Sequence, residues 1–143
     1  MSIASDPTQV RDDWLRRLSQ LIDQVQIWSE DLGWATRKIE VSLDDSELGS
    51  YKAPALLMQE GSVRVLLEPI ARSAPGANGV VDLYLMPAYD DIASLYLGSD
   101  GWRLHYMFPG TPSTATIRDA DSKPLAKETL AEVLCEMKKN AVE

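Results

Sequence analysis

The chain has 143 residues, a formal net charge of −8 and 45% hydrophobic residues, the size and apolar content of one domain spanning 1–143. Its acidity, with no cluster of Lys or Arg to offset it, speaks against nucleic acid and anionic membrane surfaces as partners. The single cysteine, Cys135, excludes an internal disulfide.

No run approaches the ~20 apolar residues of a membrane span. The first ten residues, MSIASDPTQV, lack the charged and apolar regions of a signal peptide. The expectation is a soluble, cytoplasmic protein.

Asp6-Pro7-Thr8-Gln9 opens a helix, with Asp6 as cap and Pro7 at the first helical position. At 100° per residue, Val10, Trp14, Leu18, Leu21, Val25, Trp28 and Leu32 share one narrow arc, which Leu15 and Ile22 widen. The spacing predicts a helix over 7–32, stopped by Gly33. Ile27 lies on the opposite arc, among Gln20, Gln24 and Asp31. At 1.5 Å per residue such a helix is about 39 Å long, and a strand of eight residues spans only about 26 Å. An apolar end that overhangs its sheet favours a symmetric dimer through Leu15 and Ile27, unless Trp34 and the loop 44–52 cover it within one chain.

Ile39, Val41 and Leu43 alternate with Lys38, Glu40 and Ser42, which marks a first strand over 36–43. The acidic loop Asp44–Gly49 lacks the spacing of a calcium-binding loop, and no metal site is assigned to it. Residues 53–59 and 62–68 flank Glu60-Gly61 as a hairpin, with Met58 opposite Val63 and Leu56 opposite Val65. The second face of that hairpin carries Ala55, Leu57, Arg64, Leu66 and Glu68, so it is partly apolar too. Pro54 suggests that the preceding strand lies near an edge. Residues 73–79 form a loop that lacks both nucleotide-binding glycine motifs.

Val81, Leu83 and Leu85 alternate with Asp82, Tyr84 and Met86 up to Pro87. After a turn over 88–91, Gly98-Ser99-Asp100-Gly101 joins two further strands. With Ser99 and Asp100 as the loop, Leu97 faces Trp102, Leu95 faces Leu104, Tyr96 faces Arg103 and Ser94 faces His105. A one-residue slip would mix the faces. Asp82, Tyr84, Tyr96, Arg103 and His105 then share one aromatic and charged face, the candidate binding face. A solvated sheet face is the plain alternative. Residues 113–118 read as a short extended segment, and 119–122 as a turn. A last helix over 126–140 buries Leu130, Val133, Leu134 and Met137, with Cys135 beside that stripe and partly buried.

The fold class is α+β: a long N-terminal helix, an antiparallel meander sheet of five to six strands, and a C-terminal helix. The element order resembles several small adaptor, chaperone and immunity-type domains, and such a likeness does not fix function. No G-x-S-x-G, HExxH, CxxC or phosphate-binding loop is present. No catalytic residue, metal ligand or cofactor is assigned. Asp90 and Asp91 are acid/base candidates beside His105, and a dyad of His105 with Cys135 needs the helix to meet the right sheet face. Size, acidity and absent catalytic motifs point to a non-enzymatic domain that binds another protein. The alternative is a small-ligand-binding domain or enzyme using the face around His105.

Overall fold

The computed structural model describes residues 6–72, 78–87, 91–106 and 122–142. Helix α1 (Pro7–Asp31) begins where the Asp6 carboxylate accepts the Thr8 N–H at 2.9 Å, with Pro7 in the first turn, where a missing N–H costs nothing. It ends where Gly33, at φ +97°, turns the chain back. The Gly33 N–H then reaches the Glu30 carbonyl, and the Trp34 N–H reaches that of Ser29. Trp14, Leu18, Leu21, Ile22, Val25 and Ser29 are its buried residues. Ser29 carries its hydroxyl into the core by donating to the Val25 carbonyl at 2.6 Å, since a buried hydroxyl needs a partner.

Seven strands follow: β1 (Ala35–Asp45), β2 (Gly49–Glu60), β3 (Val63–Ala71), β4 (Val80–Leu85), β5 (Ile92–Gly98), β6 (Gly101–His105) and β7 (Ser122–Pro124). Helix α2 (Lys127–Val142) closes the chain. The sheet is one antiparallel meander in the order β1-β2-β3-β4-β5-β6-β7, and the class is α+β. The strand beyond the expected five to six is β7, which has three residues and begins at Ser122, where a turn is expected from sequence. The extended segment expected at 113–118 lies outside the described residues.

The β5–β6 hairpin has the expected register residue for residue. The β2–β3 hairpin does not: Met58 pairs with Val65 and Leu56 with Leu67, so the loop is Gly61-Ser62 rather than Glu60-Gly61. A two-residue shift leaves every side chain on its own face, so apolar alternation is blind to it. The positive φ of Gly61, +61°, suits the first position of a two-residue hairpin loop.

β2 pairs with β3 only from Leu56 to Glu60, while its pairing with β1 runs on to Gly49. Beyond Leu56 the β1–β2 pair is therefore a two-stranded ribbon, and ribbons twist more strongly than wide sheets. The twist shows in the burial. Ala55 and Leu56 are consecutive and both buried, Ala55 against the outer face and Leu56 in the main core. Past that point Ala53 and Tyr51 turn into the main core. Pro54 lies in the stretch that pairs with β1 alone, which explains a proline in a strand with two neighbours elsewhere.

Both helices pack on one face of the sheet. Their stripes join Met58, Val65, Leu67, Val81, Leu83, Leu85, Leu95 and Leu104 in one core, with Trp102 packed against it. Leu130, Val133, Leu134 and Met137 of α2 are all buried there. Cys135 is exposed rather than partly buried: one residue past Leu134 turns it about 100° off the stripe. Among the described residues, no helix is long and apolar enough to cross a membrane.

The ribbon covers the N-terminal part of α1. The Tyr51 hydroxyl accepts from the Trp14 indole N–H at 3.0 Å, and Leu43 and Leu48 pack against the same core. At the ribbon tip, Arg72 and Asp45 form a largely buried pair at 2.8 Å. Burial alone would raise the Asp45 pKa. The N–H groups of Glu47 and Leu48 and the Arg72 guanidinium outweigh burial and hold that carboxyl below its ordinary value.

Tyr51→Phe leaves the Trp14 N–H without its acceptor, and denaturant unfolding is expected to show a loss of about 1–3 kcal/mol. Gly79→Ala places a methyl 2.6 Å from Cζ3 of Trp14. That overpacking is expected to lower stability by about 1–3 kcal/mol in the same assay.

Candidate functional site

The outer face of the sheet, opposite the helices, brings the five sequence candidates together. Strand alternation places Asp82 and Tyr84 of β4 outward, because Val81, Leu83 and Leu85 turn into the core. The same holds for Tyr96 between Leu95 and Leu97, and for Arg103 and His105 around Leu104.

Register orders these side chains in rows across the strands. Glu68, Asp82, Ser94 and His105 stand opposite one another along β3, β4, β5 and β6. On one side of this polar row lie Val80, Tyr96 and Arg103. On the other side lie Leu57, Leu66, Tyr84 and Ile92. Ala55, Leu66 and Tyr84 form a small second cluster, with Ile39, Val41, Leu57 and Met86 packed against it. Ile92 at 49% exposure and half-buried Leu57 leave part of that apolar row open to solvent.

The polar row is tied together locally. The Tyr84 hydroxyl donates to Glu68 Oε1 at 2.5 Å, and the Ser94 hydroxyl donates to Asp82 Oδ1 at 2.9 Å. The Tyr96 and His105 rings meet edge to face, 4.9 Å between centroids and 85° between planes. Burial pushes the Asp82 pKa above the ordinary carboxylate value, and the like charge of Glu68 directly across adds to it. The Ser94 hydrogen bond offsets only part of that rise.

Other sequence candidates lie elsewhere. Cys135 is on α2, on the helical side of the sheet, so the sheet separates it from His105. The Asp91 carboxylate accepts from the Tyr106 hydroxyl at 3.1 Å and from the Asn140 amide at 2.7 Å, which ties it to α2. Burial, and then the neighbouring Asp91, raise the Tyr106 pKa. Asp90 lies outside the described residues. Leu15 is half-buried, and Ile27 is 56% exposed on the far side of α1. Leu15 also lines an open groove of about 390 Å³ with Ser19, Lys38, Ile39, Glu40, Lys52, Ala53 and Pro54; Ile39 touches the outer-face cluster, and none of the five candidate residues lines the groove. Among the described residues, no three of His, Cys, Asp and Glu gather into a group able to hold a metal ion.

Sequence reasoning places Glu68, Leu57 and Leu66 on a second apolar and polar face without joining it to Asp82 and Tyr84. The β3–β4 register, with its irregularity between Pro69 and Ala71, makes that join. Ile92, outside the strands read from sequence, extends the face.

No family model matches the chain, and no curated protein or solved structure matches it.

Asp82→Asn supplies a test of the electrostatics. A carboxyl whose pKa rises on folding binds its proton more tightly in the folded state. Its effect on stability is then null below the unfolded value and grows unfavourable as pH rises through the folded value. Asp82→Asn, which keeps an acceptor for Ser94, is expected to unfold at a higher denaturant midpoint than wild type at neutral pH. The gap should close as pH falls below the ordinary aspartate value. Equal midpoints for the two proteins at every pH would refute the assignment.

Proposed function

We propose that the chain is a non-enzymatic protein-binding domain that docks its partner on the outer sheet face. The observation that carries this reading is the juxtaposition, across the five adjacent strands β2 to β6, of an apolar row ending in exposed Ile92 with a row of polar and ionisable side chains. Partner-binding surfaces combine these two elements: aromatic and aliphatic anchors for desolvation, and charged neighbours for orientation. Both described helices lie on the opposite side, so among the described residues this face is built from strands. The groove of about 390 Å³ is lined by α1, β1 and β2, so it lends no support to a ligand pocket around His105.

The decisive experiment is affinity capture from the native host with wild type and two variants. Ile92→Glu combined with Arg103→Glu alters exposed positions on the face, and Ile27→Glu alters an exposed position on α1. The expected result is a partner recovered in stoichiometric amount by wild type and Ile27→Glu and lost by the double variant. Retention by the double variant, or loss with Ile27→Glu alone, would refute the outer face as the docking surface.

A further inference from the structure

The two edges of the sheet are built differently. β7 has three residues and ends on Pro124, a short and blunted edge. β1 has 11 residues, contains no proline, and among the described residues has β2 as its only strand neighbour. A long open edge presents a row of backbone donors and acceptors to any chain that can run beside it.

Its sequence says which chain fits. β1 reads Ala35-Thr36-Arg37-Lys38-Ile39-Glu40-Val41-Ser42-Leu43-Asp44-Asp45, with cations in its first half and anions mainly in its second. Two such strands running antiparallel about a two-fold axis at Val41 place Lys38 opposite the second copy's Asp44, and Arg37 opposite its Asp45. Each pair occurs twice by symmetry. In the same register Ile39 meets Leu43, Glu40 meets Ser42, and Val41 meets itself. Each of these residues pairs with one of the same parity, so both faces of the sheet continue across the junction.

The neighbouring registers that keep this parity are poorer in charge pairing. An axis at Glu40 sets that carboxylate against itself, and an axis at Ser42 sets Glu40 against Asp44. Like charges directly opposite in a sheet are destabilising. An axis at Ile39 pairs Lys38 with Glu40 but leaves Asp44 and Asp45 without an opposite residue in the strand.

We propose that β1 is a self-pairing edge, and that two copies of this chain join through it, antiparallel, in the register centred on Val41. The groups it uses are accessible. Arg37, Lys38, Glu40, Ser42 and Asp44 are exposed, and Ile39, Val41 and Leu43 are half-buried. Lys38 pairs with Asp23 of α1 in a contact open to solvent on both sides, the kind that contributes little and is readily exchanged. Asp44 accepts a hydrogen bond from Ser50 and keeps oxygen lone pairs for a second donor. Asp45 is already held by Arg72, so Lys38 and Asp44 carry the discrimination.

Charge reversal tests the register directly. Light scattering after size exclusion at high micromolar concentration is expected to give a dimer for wild type and for Ile27→Glu. Lys38→Asp alone and Asp44→Lys alone should each be monomeric, since each sets like charges opposite. An equimolar mixture of the two single variants should form a heterodimer, because Asp at 38 then faces Lys at 44 and the native Asp44 faces the native Lys38. The mixture also guards against misfolding, since a damaged variant would not pair. A wild type that stays monomeric would overturn the proposal. So would a dimer indifferent to both reversals, singles that remain monomers when mixed, or loss of the dimer in Ile27→Glu.

Discussion

A buried indole N–H governs one end of this molecule. Trp14 is 4% exposed, and its nitrogen must find an acceptor inside the protein or forfeit the gain from burying the ring. The acceptor is the Tyr51 hydroxyl, 37 positions away in sequence, on the part of β2 that has already left β3. Drawing Tyr51 inward requires the ribbon to expose a different face to the core than the sheet behind it does, which the turnover at Ala55-Leu56 achieves. The same ring approaches the α-carbon of Gly79, just before β4, so closely that a side chain there would collide with it. Thus one tryptophan fixes the path of the hairpin, the entry into β4 and the cover over the first half of α1.

That arrangement also accounts for the length of α1. A 25-residue helix is about 38 Å long, more than a flat sheet of short strands would shield. The β1–β2 hairpin reaches further because its strands are 11 and 12 residues long, and its tip is pinned by Asp45 to Arg72 just after β3. Trp14, Trp28 and Leu15 are all in contact with the core, and Ile27 remains as the large apolar side chain of α1 that faces solvent.

Much of this was legible in the residues. The stripe on α1 and its caps follow from spacing and from Asp6, Pro7 and Gly33, because helix periodicity is a local property. The β5–β6 register is legible because one slip would bury Arg103 and expose Leu104. That hairpin supplies three of the five outer-face residues directly. The β2–β3 register was not legible, since a shift of two preserves the pattern and only the loop geometry at Gly61 decides it. The turnover at Ala55-Leu56 arises from ribbon twist, a property of how many neighbours a strand has, and no single-strand pattern encodes that. Glu68 was legible as an outward residue. Its place beside Asp82 and Tyr84 depends on a β3–β4 pairing joined by a loop whose length leaves register open.

Each strand of the sheet lies beside the strand that precedes or follows it in the chain. The consequence is one of timing. Hairpins close over short loops, so most of the sheet assembles from neighbours already near in sequence, the topology associated with fast folding. The exception is α2, which must travel back to lay Leu130, Val133, Leu134 and Met137 into the core and to bring Lys127 to Asp31 of α1 and Lys138 to Glu60 of β2. A nascent chain synthesised up to β7 has its strands but not their full cover. During that interval α1 alone covers the apolar side of the sheet, and docking of the last helix completes the core.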